Sequence, residues 1–384
     1  MYFSVDDGDH WQSLQLNLPV TSVRDIALHG DDLVVATHGR AFWILDDIEP
    51  LREWSEKVET HAAYLYHPEH ALRSRRSESH DTSLPPETPV GENPPAGAIL
   101  DYSLKEATEG EVALEFRDKG GKVVRRISSE DVPPAISEPP EFPSYWLHPA
   151  ETLSKKAGMH RFVWDLRYPS PTALHTEYDM AATIHGGTVA EPQGPLVLPG
   201  EYEVRLIAAG ETHTQKLSVE MDPRGQVTGD DLARQTEFEL RIDSALTKAT
   251  ETYRQIADVR TQLHALQEQL AENPKAADIL AAVNAFDGQA DAIAGNEPEY
   301  PLVATGLREV NKALTAQAIS LGGADSAPTA TSLAAFESVE KRLNEGTAKW
   351  DALKQQELPA LNKRLQDGGL PAVNEGFSGK AAGE

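Results

Sequence analysis

The residues with types and spacing suited to chemistry are few. His38 and Arg40 flank Gly39 in Thr37-His38-Gly39-Arg40-Ala41-Phe42-Trp43. At a hairpin tip that arginine could hold a carboxylate and the histidine could exchange protons near neutral pH. Equally, Arg40 could tie its strand to the segment that follows through ion pairs. Asp6-Asp7 and Asp46-Asp47 offer paired carboxylates, but neighbours on a strand or turn point apart, so neither pair is expected to work as acid and base. His61, His67, His70 and His80, with Glu69 and Glu78, form one histidine-rich stretch; His175, Glu177, Tyr178, Asp179 and His185 form another. Pro68 forbids a regular helix through His67 and His70, and no H-E-x-x-H pattern occurs, so no metal site and no cofactor is expected. The candidate binding residues are therefore His38, Arg40, His175 and Tyr178, and no residue is assigned a catalytic role.

Other chemistry is excluded by what the chain lacks. With no cysteine among 384 residues there is no disulfide, no thiolate nucleophile and no cysteine-ligated metal. No nucleophile elbow, phosphate loop or dinucleotide fingerprint occurs. Trp164 and Tyr168 could stack on a sugar, yet Phe162 and Trp164 fall on one face of an alternating strand and read as core. The net charge of −26 opposes nucleic acid or an anionic membrane as partner. No apolar run reaches the ~20 residues of a membrane span, and the first residues carry no signal-peptide pattern.

The elements that must position these residues change character along the chain. Residues 2–4, 11–16, 23–28, 33–37 and 42–45 read as short strands, and the short glycine-containing links at 29–32 and 38–40 predict antiparallel hairpins. Residues 49–95 hold a short strand near 61–68, which could close the preceding sheet, and then a proline- and serine-rich linker. From 96 to 222 a period of two returns in six strands, suggesting an immunoglobulin-like or fibronectin type III-like sandwich interrupted by two long proline-rich excursions. From 228 to 367 the period becomes helical. Thr228 is an N-cap, an unbroken helix runs to about Asn273, and further helices make an antiparallel bundle. Residues 368–384 read as a flexible tail. The fold class is thus multidomain, β then α: partial propeller blades in 1–48, a sandwich, then a helical bundle.

The opening stretch Ser4-Val5-Asp6-Asp7-Gly8-Asp9-His10-Trp11 has the pattern S-x-D-x-G-x-x-W, with a carboxylate to accept turn amides, a glycine for positive φ and a tryptophan to open the next strand. Ser4, Asp6, Gly8 and Trp11 resemble the Asp-box of BNR-repeat β-propellers. The phrase VVATHGRAFWILDD resembles the last blade of sortilin-like and xyloglucanase-like bacterial proteins, often described as glycosyl hydrolase-like. GMHRFVWDLRYP and LPGEYEVRLIAAGETHTQKLSVEMDPR resemble the Ig-like module that follows such propellers. The resemblance implies a secreted, periplasmic or envelope-associated protein with N-terminal propeller blades ahead of this segment. It also implies a non-catalytic scaffold binding a polysaccharide or protein, or alternatively the accessory part of a glycoside hydrolase whose carboxylates lie in those blades. Ala41 stands where many relatives have glycine.

Overall fold

The computed structural model describes all residues except 56–57, 59, 76–90, 92–93, 133–141, 149–151, 179–187, 297–304 and 376–384. The chain is mixed, with β-sheets first and helices after them, and it divides into two compact units. Unit one comprises Met1–Tyr168, Met180–Thr188 and Leu196–Gln226; unit two comprises Pro169–Asp179, Val189–Pro195 and Val227–Glu384.

Unit one opens with the hairpin β1 (Tyr2–Phe3) and β2 (Gln12–Ser13), followed by the antiparallel sheet β3 (Val23–His29), β4 (Asp32–Thr37) and β5 (Phe42–Leu45), with β4 central. Helix α1 (Glu49–Glu53) leaves this sheet. Next come β6 (Ala63–Leu65), β7 (Ala71–Arg73), β8 (Ala98–Leu104), β9 (Ala113–Arg117), β10 (Val123–Ser128) and β11 (Gly158–Trp164). The long hairpin of β14 (Gly200–Ala208) and β15 (Glu211–Met221) completes two sheets, ordered β10-β9-β14-β15-β7 and β11-β8-β6. Alternate residues of both sheets share one apolar cluster, in which Phe116 stacks on Trp164 at 4.1 Å between ring centroids. Gly97 precedes β8 because any side chain there would strike the Trp164 carbonyl, 2.1 Å from an ideal Cβ.

The strand expected to close the first sheet does otherwise. β6 pairs antiparallel with β8, Ala63 opposite Leu104, and β7 pairs in parallel with β15, Val219 opposite Ala71. The reason is burial, since Ala63, Leu65 and Ala71 fill the two-sheet core. Arg73, expected in a linker, is 2% exposed and donates from Nε to the Val197 carbonyl at 2.8 Å.

Among the described residues, unit two contains a short pair, β12 (Glu177–Tyr178) with β13 (Ala190–Glu191), and five α-helices: α2 (Gly229–Leu270), α3 (Ala277–Ala294), α4 (Gly306–Gly322), α5 (Ala330–Gln356) and α6 (Leu358–Asp367). Helix α2 starts where Thr228 Oγ1 accepts the Asp231 amide at 3.1 Å, and α5 where Thr329 Oγ1 accepts the Ser332 amide at 3.0 Å. Leucines, phenylalanines and Trp350 from all five helices form one core. The buried face of α2 also carries Gln235, Glu239 and Asp243, one helical turn apart. Gln235 Nε2 donates to the carbonyls of Leu321 at 3.2 Å and Ala324 at 2.7 Å and to Glu239 Oε1 at 2.9 Å, while its Oε1 accepts the Ser326 amide. Asp243 Oδ2 is buried and meets no hydrogen-bond donor. The stretch expected to fray past Gly368 is held as far as Asn374. Val373 is buried and exchanges two hydrogen bonds with the Asn362 side chain, and the Asn374 amide donates to Gln262 Oε1.

Candidate functional site

The Asp-box residues fold their own turn. Ser4 Oγ donates to Asp6 Oδ1 at 2.8 Å and accepts the Gly8 amide at 2.9 Å; Asp6 Oδ1 accepts the His10 amide at 2.9 Å. The His10 amide, the His10 ring and the Ser4 hydroxyl together hold the Asp6 carboxyl down at about 2. Gly8 sits at φ +96 with the Trp11 ring laid beside it. This carboxylate is committed to partners within its own turn, which leaves it unsuited to act as a catalytic base.

His38 and Arg40 lie exposed at the turn between β4 and β5, with Gly39 at φ +73 and Ala41 at φ +61. Ala41 therefore occupies a left-handed position that favours glycine. The tie that Arg40 could have made is made by Arg161 of β11. Its guanidinium donates to the carbonyls of Asp46 (2.7 Å) and Asp47 (3.0 Å), just past β5, and to the buried Asp101 carboxylate of β8 at 2.8 and 3.0 Å. Burial raises the Asp46 and Asp47 carboxyls, and Asp47 Oδ1 accepts the Glu49 amide at the start of α1. Both aspartates fix the exit from the sheet.

The sheet itself is apolar on both faces. Cross-strand partners place Ile26, Leu28, Leu33, Val35 and Trp43 on one side and Ala27, Val34, Ala36, Phe42 and Ile44 on the other. Phe42 is 74% exposed, Leu28 62%, Ile44 56% and Ile26 50%. Nine of the fifteen large apolar side chains exposed among the described residues fall in 1–44, so the uncovered apolar surface is concentrated there.

His175 and Tyr178 fall in unit two. His175 is exposed, and Tyr178 pairs with Ala190 across β12 and β13. Their stretch is anchored among the helices: the Thr172 amide donates to Thr247 Oγ1, its carbonyl accepts from Thr250 Oγ1, and the Leu174 amide donates to Asn311 Oδ1. Asp179, His185, Glu78 and His80 lie outside the described residues.

The histidine stretch of 61–70 contributes one member to a cluster that sequence spacing alone does not reveal. His61, just before β6, meets Glu211 and His213 at the start of β15. Glu211 Oε2 lies 3.0 Å from His213 Nε2 and 3.6 Å from His61 Nδ1, and one ligand atom from each residue falls within 4.8 Å of the others. The two imidazoles meet edge to face at 5.0 Å, with Tyr64 beside both. The amides of Ala62 and Ala63 each donate to the Glu211 carboxylate at 3.3 Å. The His213 ring and these amides hold that carboxyl down at about 2. His61 and Glu211 are partly exposed and His213 largely covered. Among the described residues this is the one group of three such side chains with converging ligand atoms. The signal that could have found two of its three members is the spacing Glu211-x-His213, which sets both on one face of a strand. Of the other histidines, His67 is exposed and its amide donates to Glu53, and His70 lies 3.7 Å from Glu69.

No protein-family model matches the chain, and no curated protein matches it with significant similarity.

Proposed function

We propose that this chain is the non-catalytic end of an Asp-box β-propeller protein and serves as an interaction scaffold. In that reading β1–β5 belong to the last blades of the ring, unit one from β6 onward is an immunoglobulin-like module, and the helices are an antiparallel bundle that extends the surface for a polysaccharide ligand. The observation that carries it is the β3–β5 sheet with uncovered apolar side chains on both faces. Blades stack face to face around a propeller, so each needs two apolar faces, whereas a free-standing sheet needs one. The occupant proposed for those faces is further blades of the same protein. The Asp-box turn supports the same reading, because it is a self-contained hairpin lock whose carboxylate is spent on the His10 amide, the His10 ring and the Ser4 hydroxyl.

Hydrogen exchange on the chain alone and on the chain fused behind consensus Asp-box blades tests this. The amides of β3–β5 should exchange far faster than those of β8 and β14 in the chain alone, and should become protected in the fusion. Equal protection of β3–β5 and β8 in the chain alone would mean that the sheet is already complete, and the propeller reading would fall. Saturable binding to a polysaccharide panel without turnover is the expected functional result, and turnover would refute the scaffold.

A further inference from the structure

The cluster of His61, Glu211 and His213 has the donor set of a metal centre, and it stands independently of the propeller reading. We propose that these three side chains bind a divalent transition-metal ion of the zinc class. The ion would fasten the β15 end of one sheet to the segment entering β6 of the other.

The geometry supports this in three ways. The first is spacing. Zinc bonds to imidazole nitrogen and carboxylate oxygen are about 2.0–2.2 Å, so ligand atoms at tetrahedral angles stand about 3.3 Å apart. The observed 3.0 and 3.6 Å separations from Glu211 Oε2 bracket that value. The three ligand atoms already lie within 4.8 Å of one another, so rotation of the two imidazole rings about their side-chain bonds would close the triangle.

The second is anchorage. Glu211 and His213 sit in register within the β14–β15 hairpin, opposite Ala208 and Leu206. The Ala62 and Ala63 amides fix the carboxylate from behind, the outer-shell support that orients ligating carboxylates. His61 arrives two residues ahead of Ala63, which is itself paired to Leu104. The three donors thus come from two separately hydrogen-bonded sheets, and a shared ion would cross-link them.

The third is donor chemistry. Two imidazoles and one carboxylate suit zinc or a neighbouring first-row ion, whereas calcium and magnesium favour all-oxygen shells. With three protein donors on a partly exposed surface, the remaining coordination position falls to water or to an incoming ligand.

Equilibrium dialysis of the full chain against zinc alone, with cobalt absorption as a second readout, provides the test. One equivalent should bind, cobalt should give the intense visible bands of a low-coordinate site, and excess magnesium should not compete. His61→Ala and His213→Ala should each weaken zinc binding by about tenfold or more, and His67→Ala should leave it unchanged. His61→Gln, a milder change at a partly exposed position, serves if either alanine variant fails to fold. No saturable binding, or equal zinc affinity in the His61, His213 and His67 variants, would overturn the proposal. A propeller without zinc, or zinc without a propeller, separates this inference from the one above.

Discussion

Replacing Asp243 with asparagine should stabilise the helical unit, and by an amount that depends on pH. Asp243 is buried on the inner face of α2, one turn from Glu239, with an oxygen that meets no donor. Burial first, and the Glu239 charge second, push its carboxyl from 3.8 up to about 8. In the unfolded chain the same group releases its proton near 3.8. Between those values the folded state holds one proton more, so stability falls as pH rises, by about 1.4 kcal/mol per unit. The contribution is fully present below pH 3.8 and fully lost above about 8. A gap of about four units sets a ceiling of about 5 kcal/mol, and solvent relaxation around a helix face should bring the observed value to about 2–4 kcal/mol. Asp243→Asn keeps the volume, removes the titration and offers an amide donor toward Glu239. Urea unfolding followed by helical circular dichroism, on both proteins from pH 5 to 9, isolates the effect, because every other titration is common to the pair. The stability difference should widen with pH and level off above about 8. A difference that is the same at pH 5 and pH 8.5 would show that Asp243 carries no raised titration and would refute the reasoning.

Two further expectations concern unit one. Arg161→Met would leave the buried Asp101 carboxylate without its partner and free the Asp46 and Asp47 carbonyls, lowering stability by about 3 kcal/mol. Thermal melting would register this, and a loss under about 1 kcal/mol would show that the tie between β5 and β11 is idle. In the Asp-box turn, a carboxyl lowered to about 2 contributes stability above pH 3.8 that is lost as pH falls toward 2. Amide exchange at Gly8 and His10 should therefore accelerate in Asp6→Ala at neutral pH while the global melting temperature holds, and a shift in the global transition instead would place the turn in the folding core.

Much of the element order was legible in the sequence because it rests on local patterns. The strand read at 42–45 and the helix start read at Thr228 match those observed, since alternation and capping are properties of single segments. Pairing was less accessible. Nothing local in Ala63-Tyr64-Leu65 says that its partner is β8 and not β5, and the parallel contact of β7 with β15 joins residues about 150 apart. Polar burial was equally hidden: Gln235, Glu239 and Asp243 share a stripe with Leu232, Phe238 and Ile242, and a reading by apolar spacing passes over them. The Arg161 tie and the His61–Glu211–His213 cluster were missed for the same reason, because each joins segments whose proximity depends on the whole sheet order. The Asp-box turn was the opposite case, as all its partners lie within eight residues.

The anchoring of 169–179 among the helices has a consequence for cutting the protein apart. The polypeptide enters the helical unit three times, at 169, 189 and 227, and returns to the β unit twice. No single scission therefore yields either half intact. A fragment stopping at residue 226 would strip Thr172 and Leu174 of Thr247, Thr250 and Asn311, and one starting at 227 would leave Thr250 and Asn311 buried without the backbone they serve. Each half keeps a piece of the other's thread, so separating them calls for rejoining chain ends across the excised loops, not for a cut at one boundary.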